Sequence, residues 1–185
     1  MNINDAIYGR RAVREYTAEP VSEAVIKSLI DAAIHAPSAI NAQPWSFAVV
    51  RDQQILTNMS QHAKAYVLAT DTGSMPLHLH TSLADPQSQI FHGAPVLIVI
   101  SATAQAPWIV EDCALAAENL MLCAFAQGLG SCWIGLAQRW LNTIDGKAAL
   151  GIAVEAVPVA PIIVGHPKRF PPPVPRQAPR IRWID

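Results

Sequence analysis

The stretch VEDCALAAENLMLCAFAQ, residues 110–127, decides the fold. Read at 3.6 residues per turn, it is one long helix. Its polar side chains Glu111, Asp112, Glu118 and Asn119 recur at spacings of seven and form a single narrow stripe. The rest of the circumference is apolar, so the helix belongs at the centre of a domain or of a dimer. Gly128 and Gly130 end it.

Outward from that helix the pattern is mixed. Upstream, PVLIVIS at 95–101 has the length and branching of a buried strand. Downstream, 131–136 reads as a short strand, 138–147 as a helix and 157–165 as another strand. Pro161 inside the last of these argues for an edge or a bulge. Toward the N-terminus, 3–9 reads as a short helix. Over 21–36, Val25, Ile26, Leu29, Ile30 and Ala33 share one helical face, with Ser22 as cap and Pro37 as stop. Residues 46–51 form a strand and 53–63 a helix. Residues 71–90, rich in Gly, Pro, Ser and Asp, read as a loop or lid. Strands are few and their connections are long and helical. The class is therefore α+β, or α/β with a small mixed sheet.

The 185 residues amount to one domain that needs no disulfide or metal staple. Charged residues are only 15% of the chain against about 25% in average soluble proteins, which suggests that a partner subunit covers part of the surface. A net charge of −1 speaks against a general nucleic-acid binder. The charge is unevenly placed. Arg10, Arg11 and Arg14 against Asp5 give the first 14 residues +2; Lys168, Arg169, Arg176, Arg180 and Arg182 against Asp185 give the last 20 residues +4. The body between carries −7. Two basic ends either solvate the termini or converge on one anion. No signal peptide and no membrane span is legible. Cys113, Cys123 and Cys132 form no CxxC pair, and a reduced cytoplasm is the expected compartment. FPPPVP at 170–175 reads as an extended strap leading to a tail at 180–184, so that 170–185 is an arm on a single domain.

Four groups of residues invite chemistry. RRAVR at 10–14 offers three guanidiniums, either as a solvated basic turn or as an anion site. APSAINAQPW at 36–45 places a hydroxyl and two side-chain amides between two prolines. It is either a rigid, self-satisfied turn or a reader of a polar ring, approached past the small residues Ala36, Ala39 and Ala42. GLGSCWIG at 128–135 enters a strand rather than opening a helix, so it is no dinucleotide fingerprint. Cys132 within it reads as a buried thiol. His78, His80 and His92 lack metal-ligand spacing and read as solvated histidines.

Taken together, Arg-Arg-x-Val-Arg, Pro-Ser-x-x-Asn-x-Gln-Pro-Trp and Gly-Leu-Gly-Ser-Cys-Trp-Ile-Gly resemble the FMN-dependent nitroreductase family, in particular its short members. Asn119 in the central helix and Gly165-His166-Pro167 extend the resemblance over almost the whole chain. It implies an α+β homodimer with a mainly antiparallel sheet flanked by helices, a C-terminal strand exchanged between subunits, and FMN at the interface. It implies that Arg10, Arg11, Ala12 and Arg14 meet the cofactor, Arg10 at the phosphate and Arg14 at the N1–C2 carbonyl edge. Pro37, Ser38, Ala39 and Asn41 would come from the other subunit, while Trp133, Ile134 and Gly135 flank the ring. Arg176 matches a late phosphate ligand. Two positions depart from the family pattern. Ala12 replaces the usual Ser, and Val174 replaces a Lys that Lys168 or Arg169 would have to stand in for.

The implied activity is ping-pong hydride transfer from NADH or NADPH through FMN to a nitroaromatic, quinone or enone, with solvent supplying protons and no catalytic side chain. Two alternatives accompany it. One is a flavin store or interaction module without turnover. The other is a flavin-dependent dehalogenase or flavin-cleaving enzyme, although 71–90 lacks the Glu, Tyr and Lys by which the dehalogenases clamp substrate.

Overall fold

The structure, a computed structural model, describes residues 1–73, 75–103 and 105–184. The helices are α1 (Ile3–Gly9), α2 (Glu23–Ile34), α3 (Gln53–Thr70), α4 (Leu77–Ala84), α5 (Ile109–Ala126), α6 (Gly135–Leu141) and α7 (Ile144–Leu150). The strands are β1 (Trp45–Val50), β2 (Val96–Ala102), β3 (Gly130–Trp133) and β4 (Val157–Gly165), and a 3₁₀ turn spans Ala39–Asn41. The sheet order is β1-β2-β4-β3, and every neighbouring pair is antiparallel. An isolated bridge between Ala12 and Ser131 supplies the parallel component.

Alternation along β2 builds two cores. Val96, Ile98, Ile100 and Ala102 pack with α2 and α5, while Leu97 and Val99 pack with α3 and α6. Burying one such side chain fully contributes about 1.5–3 kcal/mol, so a strand buried on both faces is a large part of the stability. α5 lies across the sheet as its pattern requires, with Cys113, Ala116, Ala117, Leu120 and Ala124 against it. Its other side, with α1, leaves Val110, Leu115, Ile3, Ile7 and Tyr8 exposed.

Several boundaries differ from expectation. Ser22 does cap α2, accepting from the Val25 amide. α3 runs on to Thr70 because Ala63 and Val67 continue the buried face begun by Leu56 and Met59. The segment 71–90 is not all loop. It holds α4, which buries only Leu83 and so left no periodicity to read. The expected helix 138–147 is two helices. Thr143 breaks it by capping α7 through the Gly146 amide. β3 ends at Trp133, and Leu136 belongs to α6, although the Ile134 amide still donates to the Pro161 carbonyl at 2.8 Å. Pro161 does not mark an edge, since β4 lies between β2 and β3. The register shift falls nearby, where Ile100 pairs with Ala160 but Ser101 pairs with Pro158. The arm from 170 to 184 is extended and forms no strand within the protomer. No helix among the described residues is long and apolar enough to cross a membrane.

Candidate functional site

The site begins with a close approach. A Cβ on Gly130 would lie 2.7 Å from Val13 Cβ, so only glycine lets residues 12–14 run against β3. The Val13 amide then donates to the Ser131 carbonyl at 3.0 Å. Further on, Tyr16 bridges to Pro167, the Thr17 amide donates to the His166 carbonyl and the Lys168 amide to the Glu15 carbonyl. Arg169 also reaches Glu15, Nη2 to Oε1 at 3.3 Å. Buried Tyr16 donates its hydroxyl to the Val13 carbonyl at 2.7 Å, and burial holds it protonated. The first basic cluster and the start of the second thus meet along one edge. Arg176, Arg180 and Arg182, by contrast, are exposed on the arm.

The guanidiniums there are incompletely partnered. Arg11 Nη1 donates to the Tyr8 and Arg10 carbonyls, yet its buried Nε has no partner. Arg10 Nε lies 3.4 Å from Glu118 Oε1, outside hydrogen-bond geometry. Arg14 is exposed and makes neither hydrogen bond nor ion pair among the described residues. It stands between two cavities. An arm cavity of about 470 Å³ is lined by Ala12, Arg14, Glu15, Arg169, Pro171 and Pro172. A strand-end cavity of about 510 Å³ joins Arg14 to Trp133, Ile134 and Gly135 beneath Leu79 and Leu83 of α4. His92 lines the same cavity, and burial, then the charge of Arg14, lowers its pKa. α4 is moored from below. Buried Lys64 donates to the Asp85 and Ser88 carbonyls at 2.7 Å each, and Ser60 Oγ accepts from the Ile90 amide.

The 37–45 loop sits apart from these cavities, at the exposed start of β1. Its polar groups satisfy one another. Ser38 Oγ accepts from the Gln43 amide, and Asn41 Oδ1 accepts from Gln43 Nε2. Ile40, Asn41 and Gln43 have φ of 50°, 57° and 48°, in the left-handed region that disfavours side chains. The conformation is tethered from α5, where buried Asp112 accepts the Ala39 amide at 2.9 Å. Ile40 is 96% exposed, an apolar side chain held out from the protomer.

The structure therefore brings Arg14 together with Trp133, Ile134 and Gly135 in one cavity and with Ala12 in the other, while the side chains of Arg10 and Arg11 turn to Glu118 and to the Tyr8 and Arg10 carbonyls. It leaves Pro37, Ser38, Ala39 and Asn41 on a separate face, and Arg176 exposed on the arm without a partner. Sequence reasoning missed Asp112, Lys64, and Leu79 and Leu83 of α4, whereas Arg169 was already a candidate stand-in for the cation absent at Val174. For Asp112 a signal existed, namely a carboxylate in an otherwise apolar helix. Cys132 is buried, and burial raises its pKa, as it does for Cys113, pushed up to about 12 with help from Asp112. Burial therefore disfavours the reactive thiolate at both. No cluster that could hold a metal occurs among the described residues. His78 and His80 are exposed on α4.

One guanidinium, that of Arg14, lines both cavities, with the strand end Trp133–Gly135 in one and Arg169 in the other. The chain belongs to the Nitroreductase family, whose model matches residues 7–166. It is 33% identical over 165 residues to a putative NADH dehydrogenase/NAD(P)H nitroreductase of Archaeoglobus fulgidus, covering 88% of this chain and 83% of that one. Its fold is that of an FMN-bound nitroreductase from Bacteroides fragilis, with a TM-score of 0.87 over 100% of both chains at 22% identity. An iodotyrosine deiodinase bound to FMN and 3-iodo-L-tyrosine shares the fold at a TM-score of 0.78 and 21% identity, again over 100% of both chains.

Proposed function

We propose that this protein is an FMN-dependent oxidoreductase that passes a hydride equivalent from NADH or NADPH to a nitroaromatic, quinone or enone. The observation that carries the reading is Arg14, a guanidinium with no partner among the described residues, between two cavities and beside Trp133–Gly135. The donor set fits FMN. The buried Nε of Arg11, without a hydrogen-bond partner among the described residues, and that of Arg10, held only by its ion pair with Glu118, suit phosphate oxygens, and an arginine fork matches them geometrically. Ala12 offers no hydroxyl, so its contribution is backbone. Arg169 beside Arg14 takes the place of the cation lost at Val174, sharing its charge with Glu15. Trp133, Ile134 and Gly135 would hold one edge of the ring, and Arg14 would stabilise the negative charge that its reduction brings.

When bound, FMN supplies the two-electron redox chemistry. The protein's own residues bind, orient and exclude water. The loop from Pro37 to Asn41 completes the site of a second subunit. Its exposed, left-handed Ile40 supports this, since nothing in its own protomer covers it. The exposed apolar residues of α1 and α5 support a homodimer, and the arm carries Arg176 to the phosphate by adding Ile181–Ile184 to the partner's sheet. Free, buried or half-buried thiols suit the reducing cytoplasm. In the overall reaction NAD(P)H gives up a hydride and becomes NAD(P)⁺, and a quinone gains that hydride and a solvent proton to become a hydroquinone. Donor and acceptor use the strand-end cavity in turn, so the kinetics are ping-pong. The dehalogenase alternative lacks its clamp, because Glu, Tyr and Lys are absent from 71–90.

The test is anaerobic stopped-flow. NADH or NADPH should bleach the flavin in one phase, and a quinone should restore it. Double-reciprocal plots at several acceptor concentrations should be parallel. No bleaching would favour a flavin store, and intersecting lines with a demonstrated ternary complex would refute the shared pocket.

A further inference from the structure

A third cavity, about 320 Å³, adjoins the strand-end cavity and shares Gly135 and Leu136 with it. Its other walls are Val67, Met75 and Asp71 on one bank and Gln138 and Arg139 on the other. Arg139 stands four residues after Gly135 on α6, hence on the same helical face and about 6 Å further along the axis. It is exposed and makes neither hydrogen bond nor ion pair among the described residues. Asp71 faces it across the groove, and its Oδ1 accepts the Gly73 and Met75 amides at 3.2 and 3.3 Å. That carboxylate is engaged with backbone, while the guanidinium opposite is uncommitted.

A nicotinamide dinucleotide is far longer than its reactive ring. With nicotinamide in the strand-end cavity, its diphosphate must leave by a neighbouring channel. The arm cavity, reached past Arg14, lies on the side assigned to the phosphate of FMN. The groove past Gly135 and Leu136 is a second way out, and it carries Arg139, a cation with no ion pair among the described residues. We propose that Arg139, assisted by Gln138, is the subsite for the phosphate groups of the NAD(P)H donor. This rests on the oxidoreductase reading above. The apolar bank of Val67, Met75 and Leu136 gives the rest of the donor a surface to lie on, and the planar fork of Arg139 meets two phosphate oxygens at once.

The experiment uses FMN-loaded wild type, Arg139→Ala and Arg139→Lys. Flavin bleaching is followed against the concentration of NADH, of NADPH and of N-benzyl-1,4-dihydronicotinamide, which has the same reacting ring and no phosphate. Binding of NAD⁺ and NADP⁺ is measured separately by calorimetry. Arg139→Ala should raise the half-saturating NADH and NADPH about tenfold at an unchanged limiting rate, and weaken NAD⁺ and NADP⁺ by the same factor. The benzyl donor should not respond, and the lysine variant should recover part of the loss. Equal effects on NADH and NADPH assign the diphosphate; an effect on NADPH alone assigns the 2′-phosphate. Unchanged half-saturation and unchanged dinucleotide binding would overturn the subsite, as would an equal loss with the benzyl donor. Failure of the oxidoreductase reading looks different, because then no donor bleaches the wild type, and the dinucleotide titrations still decide the role of Arg139.

Discussion

Replacing Asp112 by Ala tests how the protein sets its 37–45 loop. The carboxylate accepts the Ala39 amide at 2.9 Å from a site only 4% exposed. A hydrogen bond to a charged group contributes about 1.5–3 kcal/mol. What it holds is costly, since Ile40, Asn41 and Gln43 are all left-handed, at about 1–2 kcal/mol each. Once released, the loop relaxes toward ordinary backbone. If FMN binding requires the loop in place, apparent affinity falls with the population of the tethered form. The tether energy then corresponds to a loss of about 10- to 150-fold. The assay is FMN titration of the apoprotein by quenching of flavin fluorescence, with hydrogen exchange of 38–43 alongside. Asp112→Asn should retain most of the affinity, because its amide oxygen accepts the same N–H. An alanine variant that binds FMN within about twofold of wild type, with 38–43 exchanging no faster, would refute the reasoning.

Gly130→Ala drives a methyl into Val13, and overpacking of this kind costs about 1–3 kcal/mol. Thermal unfolding should show a midpoint several degrees lower, together with weaker FMN retention as residues 12–14 leave β3. Because the pKa of His92 is lowered in the folded state, the unfolded chain binds more protons below its ordinary value of 6.5. Stability is therefore full above that pH and declines as the pH falls through the depressed folded value; denaturant titrations of His92→Gln should lack this part of the decline. For the arm, Arg176→Ala should weaken FMN by about 1.5–3 kcal/mol and leave a dimer in sedimentation. Truncation after Gln177 should weaken both flavin binding and dimerisation, and a truncated protein unchanged in both would make the arm a solvated end.

Much of this was legible in the chain. Residues 110–127 carried their own orientation, because only one stripe was polar. Ser22 and Pro37 bracketed α2 through a cap and a stop that act locally. α4 was not legible, because a short helix resting on Leu83 and moored by Lys64 from another helix leaves no repeating pattern. Pro161 pointed to an edge or a bulge, and the structure has the irregularity rather than the edge. The register shift opposite Pro158 and the use of the Pro161 carbonyl by Ile134 accommodate it inside the sheet. In the site, the residue types were readable and their grouping was not. The convergence of Arg14 with Arg169 depends on backbone bridges from Ala12 to Ser131 and from Tyr16 to Pro167, which no local pattern encodes.

The central claim is that the basic edge around Arg14 holds FMN. The most direct measurement is the flavin content of the purified protein. It should be yellow, or turn yellow when FMN is added, and release FMN on heating at one per protomer. Release of FAD, or a protein that stays colourless with FMN present, would contradict the account.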